Sequence, residues 1–302
     1  MLKSVDALVA ERLSQIVDWQ STIENRMQPA RIAELLAPFV ETALLPIPDP
    51  CHSEPASAGE EPAVLSPAQL HSISICIDLL LRWNARMNLT AVRDPEQIVT
   101  RHFGESLFAA RRLFPGSVCV GTGASRIRAV PGLSMAEQDR GRAAFQGCAT
   151  GQEKARLLPS EAIAIADIGS GAGFPGVPIK IWAPQVSLTL VESNHKKAAF
   201  LHEVVRALTL TNIDIRNVRA EALPQSSFAV VTVRAVERFQ SILPTAAGLV
   251  VPGGRLALLI GSSQFDSARS ALPHLAWEDP KPVPLSRARV IAVGHRTRSE
   301  PR

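Results

Sequence analysis

Asp167-Ile168-Gly169-Ser170-Gly171-Ala172-Gly173-Phe174-Pro175-Gly176 leaves an apolar run and enters a helix-like one, so its glycines fall in a strand-to-helix turn. Glycine there lets backbone approach a ligand that any Cβ would displace, and in an open parallel sheet ligands sit beyond the carboxyl ends of the strands. Gly169, Gly171 and Gly173 form GxGxG. A dinucleotide fingerprint needs GxGxxG, with a small third residue where Phe174 stands, and a pyrophosphate wants an open helix N-terminus. An adenosyl sulfonium carries no phosphate and tolerates Phe174-Pro175. Glu192 ends SLTLVE about twenty residues beyond the loop, where an acid can accept hydrogen bonds from both hydroxyls of a ribose. Asp167 can accept hydrogen bonds in the turn or salt-bridge a cofactor ammonium. Together these residues point to S-adenosylmethionine and methyl transfer; the bland alternative is a tight turn followed by a helix-start acid. Arg219-Ala220-Glu221 follows IDIRNV, in the loop that flanks the adenine in this architecture, although Glu221 reads equally well as a helix cap or a surface acid.

The elements that must position these groups can be read around them. From Ala162 onward AIAIADIG, VPIKIWA, SLTLVE, HKKAAFLHEVVRAL, IDIRNV, FAVVTVRA, SILPTAAGLV and RLALLIG alternate strands with helices, which implies an α/β fold with a parallel sheet covered on both faces. VPLSRARVIAVG can supply further strands. The expected fold is therefore Rossmann-like, a class I methyltransferase with a mainly parallel sheet, an antiparallel C-terminal hairpin and helices in front of it. Ser66-Pro67-Ala68-Gln69 is a helix start with a capping box, opening a helix through Leu70 to Trp83; Asp94-Pro95 opens a second that runs to Pro115. Residues 1–45 space apolar side chains three or four apart, and 46–67 are rich in proline, serine and acids. The organisation that follows is a helical appendage with a linker over 1–64, helices of the methyltransferase over 65–115, a loop-like insert over 116–162, and a cofactor-binding core with a basic tail over 163–302. Met27 opens a helical run of its own and is an alternative start.

Composition narrows the function classes. The chain is 302 residues long, 46% apolar and 20% charged, as soluble globular proteins are. Cys51, Cys76, Cys119 and Cys148 form no CxxC pair and have no histidines at zinc spacing, so neither a disulfide framework nor a metal site is expected. No stretch reaches the roughly 18 apolar residues of a membrane span, and the N-terminus lacks a signal-like apolar core. A cytoplasmic, unanchored protein is expected. A net charge of +4 is compatible with a polyanion but also common elsewhere; Arg287, Arg289, Arg296, Arg298 and Arg302 crowd the C-terminal end, as a phosphate-binding patch or a solvated tail.

RWNARMNLTAVRDPEQIVTRHFGES, ADIGSGAGFPGVPIKIWAP, RAE and VRAV together resemble the glucose-inhibited division protein B family, methyltransferases that modify N7 of a guanine in bacterial small-subunit (16S) ribosomal RNA. The resemblance covers residues 65–115 and 163 to about 294. It implies cofactor-site roles for Gly169, Phe174, Ala220, Glu221 and Arg234, beside Gly171 and Glu192, which the loop spacing and the strand-end acid already point to. It also implies positioning roles for Arg101, His102 and Arg234, His102 being alternatively a buried structural histidine. Arg219, Arg287 and Arg289 are the expected RNA contacts, and the partner implied is small-subunit RNA within the assembling or assembled subunit. Val233, Glu105 and Ile260 depart from the family's serine, aspartate and lysine.

The chemistry so implied is in-line transfer of a methyl to guanine N7, whose lone pair is free at neutral pH, so no general base is expected. Other readings are a class I methyltransferase for a small molecule or a protein, a nicotinamide oxidoreductase, which would need the other glycine spacing, and a non-catalytic RNA-binding module.

Overall fold

A computed structural model describes residues 27–40, 65–115, 162–236 and 238–298. Of the regions set apart above, most of 1–64 and nearly all of the 116–162 insert lie outside the described residues.

An eight-stranded sheet runs in the order β3-β2-β1-β4-β5-β8-β6, with β7 also paired to β8. The strands are β1 (Ala164–Ile168), β2 (Ser187–Val191), β3 (Ile213–Arg216), β4 (Phe228–Arg234), β5 (Val250–Gly261), β6 (Leu275–Trp277), β7 (Lys281–Pro282) and β8 (Arg289–Arg296). β1 to β5 pair in parallel, while β8 runs antiparallel to β5, β6 and β7. The expected parallel sheet with an antiparallel end is what forms. Strand order reverses at β1, between β2 and β4, which opens a crevice at the carboxyl ends of those strands.

Two-residue periodicity sorts the side chains onto two faces. Ile165, Val230, Ala257 and Leu259 face one cluster, and Ala166, Ile168, Val231, Val233, Leu256, Leu258 and Ile260 face the other. The second face is covered by α7 (Phe239–Leu249) and α8 (Phe265–Ala271), through Leu243, Ala246 and Ala268. Ile260 is 2% exposed within that cluster. The position at which the resemblance gives lysine is therefore a packing position in this chain.

The first face is covered by α2 (Pro67–Asn84), α4 (Glu105–Leu113), α5 (Gly176–Trp182) and α6 (His195–Ala207). The Ser66 capping box forms as read: Gln69 N donates to Ser66 Oγ (3.3 Å) and Ser66 N to Gln69 Oε1 (2.8 Å). The Gln69 amide also donates to Ile181 O (2.8 Å), fastening α2 to α5. Asp94 caps α3 (Pro95–Ile98) by accepting from Gln97 N (2.8 Å). Between α3 and α4 the helix widens into a π-helical turn, Val99–Gly104, which periodicity alone does not reveal. Such turns re-aim side chains and often lie at functional sites.

α1 (Pro29–Val40) corrects the expected domain organisation. Ile32, Leu36 and Phe39, at i, i+4 and i+7, are at most 1% exposed and belong to the same cluster as α2 and α4. Residues 29–40 are thus core of the main body, each such side chain stabilising it by roughly 1.5–3 kcal/mol. Gly104 makes room for them, since a Cβ there would stand 2.6 Å from the Phe39 ring.

Candidate active site

The glycine loop leaves β1 with Gly169 at φ 69° and Gly173 at φ 86°, conformations that side chains rarely adopt. A Cβ on Gly173 would also meet Val177 at 2.8 Å. Gly169 N and Ser170 N donate to Val191 O (2.9 and 3.1 Å), tying the loop to the end of β2. There Glu192, buried for most of its surface, accepts from Gly171 N through Oε2 (2.9 Å) and from Asn194 N through Oε1 (2.8 Å). Asn194 in turn caps α6 by accepting from Lys196 N and Lys197 N. The acid is thus held rigidly by backbone, and each oxygen keeps a second lone pair for a ligand.

A cleft of about 520 Å³ opens at this switch point. Gly169, Glu192, Arg219, Ala220 and Glu221, all singled out from the sequence, line it. Lys197, Val218, Val236, Arg238 and Ile242 line it too, and the sequence reading missed them. Lys197 and Asn194 had a local signal, the cap-and-first-turn run that follows Glu192; Arg238 and Val236 come from the loop after β4, and only the strand order brings them here. Arg219, expected on RNA, is a wall of this cleft.

Asp167 is placed differently from one of its expected roles. It is fully buried, with Oδ1 accepting from Thr232 Oγ1 (2.8 Å) and Oδ2 from Gly176 N (3.1 Å). It braces β1 to β4 and to the start of α5, and it does not line the cleft. Burial pushes its carboxyl up to about 6 against the bonds from Thr232 and Gly176.

Phe174 and Arg234 belong to a second assembly beside the cleft, not to its lining. Arg234, at the end of β4, donates from one terminal nitrogen to Arg101 O (2.8 Å) and Glu105 Oε2 (3.0 Å), and that nitrogen lies 3.0 Å from His102 Nδ1. The same Glu105 oxygen accepts from Arg289 (3.1 Å). Phe174 stacks on His102 at 4.9 Å between centroids and lies under the Arg234 guanidinium at 5.8 Å. Arg101, His102 and Arg234 therefore converge as expected. Arg289 joins them: one terminal nitrogen of its partly exposed guanidinium donates to Glu105 Oε2 and to Leu259 O. Arg287 stands exposed in the turn before β8.

His102 is pushed down to about 3 by burial first and then by Arg234 and Arg101, so it is neutral at ordinary pH. On its other side the ring meets Thr90, with Nε2 2.7 Å from Oγ1. Thr90 N donates to Asn84 Oδ1 (3.0 Å). The Asn84 and Thr90 of the quoted motif thus orient the histidine. Two guanidiniums, from Arg234 and Arg289, share the Glu105 carboxylate here, and Arg234 Nε is buried without a hydrogen-bond partner among the described residues.

Of the five C-terminal arginines, Arg289 and Arg296 lie in β8, Arg287 and Arg298 are exposed beside it, and Arg302 lies outside the described residues. Arg296 donates to Ser226 Oγ (3.0 Å) and Gly248 O (3.3 Å). Among the described residues no group of three or more metal-binding side chains occurs, and no helix is long and apolar enough to cross a membrane.

The family model of the rRNA small subunit methyltransferase G matches residues 69–136 and 153–282. The chain is 32% identical over 208 residues to the ribosomal RNA small subunit methyltransferase G of Xylella fastidiosa (strain 9a5c), covering 68% of this chain and 76% of that protein. It is 34% identical over 185 residues to the protein of the same name from Halorhodospira halophila, covering 61% and 66%. Among solved structures it is similar to a SAM dependent methyltransferase from Aquifex aeolicus, at 13% identity and a TM-score of 0.39 over 45% of this chain and 82% of that one. It is also similar to a ribosomal protein L11 methylase from Lactobacillus delbrueckii subsp. bulgaricus, at 13% identity and a TM-score of 0.40, over 46% and 72%.

Proposed function

The chain belongs to the rRNA small subunit methyltransferase G family, and from that premise we propose that it methylates N7 of a guanine in small-subunit ribosomal RNA, using S-adenosylmethionine. The observation that carries the cofactor reading is Glu192, a carboxylate fixed by Gly171 N and Asn194 N at the lip of the cleft. The donor set fits an adenosyl group: Glu192 for the ribose hydroxyls, Val218 and Ile242 as apolar walls for the base, Ala220 and Glu221 at its edge. Gly169 supplies a surface without a Cβ against which the ligand can lie. When bound, S-adenosylmethionine supplies an electrophilic sulfonium methyl.

This chain's residues have then to hold an acceptor nitrogen in line and keep water out. Guanine N7 is unprotonated at neutral pH, so no proton has to be removed, and the neutral His102 matches that need: it packs and hydrogen-bonds rather than titrates. Arg101, His102 and Arg234 form a rigid cationic wall that positions the target nucleotide, with Phe174 as the face between wall and cleft. The substrate would be met within the assembling or assembled subunit, in the cytoplasm.

Calorimetric titration should show saturable one-to-one binding of S-adenosylmethionine, and unmodified small subunits should gain one N7-methylguanine by nucleoside mass spectrometry. Absence of binding at millimolar cofactor rejects the enzyme reading; binding without any new methylated nucleoside rejects the RNA substrate.

A further inference from the structure

The turn between β7 and β8 begins at Val283, one residue past the end of the family match. It is pinned at its feet: Val283 N donates to Arg289 O (2.9 Å), Ser286 N to Val283 O (3.2 Å) and Arg289 N to Ser286 Oγ (3.2 Å). Pro284 and Leu285 are the central residues of a four-residue turn, and Leu285 has φ 57°. Glycine or asparagine is favoured at that place, because a branched apolar side chain crowds the backbone there. Leu285 is nevertheless 74% exposed. A large apolar side chain in water, on a backbone it disfavours, is two unfavourable choices at one residue that asparagine would relieve together. Outliers of this kind point to function rather than to folding.

Placement says which function. Gly261 pairs with Arg289, so the turn stands at the carboxyl end of β5, on the sheet edge that carries the Gly169 loop and Arg234. Ser262 N donates to Ala288 O (2.8 Å), and Arg289, the foot of the turn, shares Glu105 with Arg234. Residues 280–298 include Lys281, Arg287, Arg289, Arg296 and Arg298 and no acid. An apolar finger beside an exposed guanidinium, on the substrate side of the sheet, is suited to an unstacked nucleobase and its phosphate.

We propose that Leu285 is a substrate-positioning wedge: it packs against a nucleobase neighbouring the target nucleotide, with Arg287 on the adjoining phosphate. This rests on the ribosomal RNA reading above. The wedge contributes to holding RNA and leaves cofactor binding and the methyl transfer itself to the cleft and the arginine cluster.

The test compares full-length wild type, Leu285→Asn and Leu285→Phe for melting midpoint, S-adenosylmethionine affinity, and KM and kcat on unmodified small subunits. Leu285→Asn should melt no lower than wild type and bind cofactor equally well, while its KM rises about tenfold and kcat stays within about twofold. Leu285→Phe, which restores an apolar face that can pack on a base, should bring KM back to within about threefold of wild type. An unchanged KM in Leu285→Asn overturns the proposal, as does a KM in Leu285→Phe no better than in Leu285→Asn. A wild-type chain that binds S-adenosylmethionine but methylates no small-subunit RNA overturns the functional reading instead, and the wedge with it.

Discussion

The cofactor cleft and the arginine cluster share one edge of the sheet but are built in opposite ways. The cleft is made chiefly of backbone and of side chains close in sequence: a glycine loop, an acid 21 residues beyond Gly171, and the cap of the next helix. The cluster is made of long side chains from the π-helical turn, β4 and β8, with 129 residues between Glu105 and Arg234 and 184 between Glu105 and Arg289. A local cradle can be specified by spacing, whereas a cationic wall depends on the whole fold being in register. If the two regions divide the work, one holding cofactor and the other holding the target nucleotide, substitutions in each should separate affinity for one ligand from turnover of the other.

The largest effect is expected from Glu192→Ala. It would remove the two charge-assisted bonds proposed to the ribose and leave the N–H groups of Gly171 and Asn194 without their acceptor. At roughly 1.5–3 kcal/mol for each charged hydrogen bond, cofactor Kd should rise on the order of a thousandfold, read by calorimetry. Comparable cofactor affinity in this variant would break the assignment of the cleft.

Next comes Arg234→Ala, the reciprocal experiment. Methyl transfer to small subunits should fall about 100-fold, as for loss of a positioning contact, while cofactor Kd stays within about threefold. Glu105 keeps Arg289 as a partner, so unfolding free energy should fall by about 2 kcal/mol, less than for a carboxylate left alone. A parallel loss of cofactor affinity would merge the two regions into one site.

The contrast between the regions also explains what could be read from the sequence. The strands, the GxGxG turn, both proline-led helix caps and the acid after β2 are local patterns, and they formed where expected. Ile32, Leu36 and Phe39 announced a helix, but nothing in their spacing could say that it fills the space above Gly104, because that match is steric and lies 65 residues away. Asp167 was legible as a residue of the turn but not as buried, since its partner Thr232 is brought in only by the pairing of β1 with β4. That Arg289 shares Glu105 with Arg234 could not be read from the sequence, because Glu105 is separated from it by most of the chain. Sequence spacing carried chemistry where the chemistry was local, and failed where two strands or helices had to meet.

Asp167 lies beneath both regions and sharpens their boundary. Its folded-state value of about 6 is above the ordinary 3.8, so the fold favours the protonated carboxyl. Its contribution is fully present below about pH 4 and is lost as pH rises through about 6, a difference of roughly 3 kcal/mol at most. Asp167→Asn keeps both hydrogen bonds, its oxygen accepting from Gly176 N and its amide donating to Thr232 Oγ1. Urea unfolding at pH 4 and pH 7.5 should show the wild type losing about 2–3 kcal/mol relative to this variant over that interval. An identical pH dependence would mean that the carboxyl is not desolvated as its burial indicates.

Arg287 is expected to give the smallest change and the most selective one. It is exposed, one residue beyond Ser286 of the pinned turn, and belongs to neither the cleft nor the arginine cluster. Arg287→Ala should therefore leave melting, cofactor Kd and kcat at saturating RNA unchanged. A contact with one phosphate releases its condensed counterion, so the logarithm of RNA affinity against the logarithm of salt should become shallower by about 0.7 to 0.9. Arg296→Ala provides the control of opposite character, because Arg296 is committed to Ser226 Oγ and Gly248 O: its loss should lower stability and leave the salt slope alone. An unchanged slope in Arg287→Ala would remove phosphate contact from the β7–β8 turn and confine RNA recognition to the edge around Arg101 and Arg234, making the cluster the only cationic surface the substrate uses among the described residues.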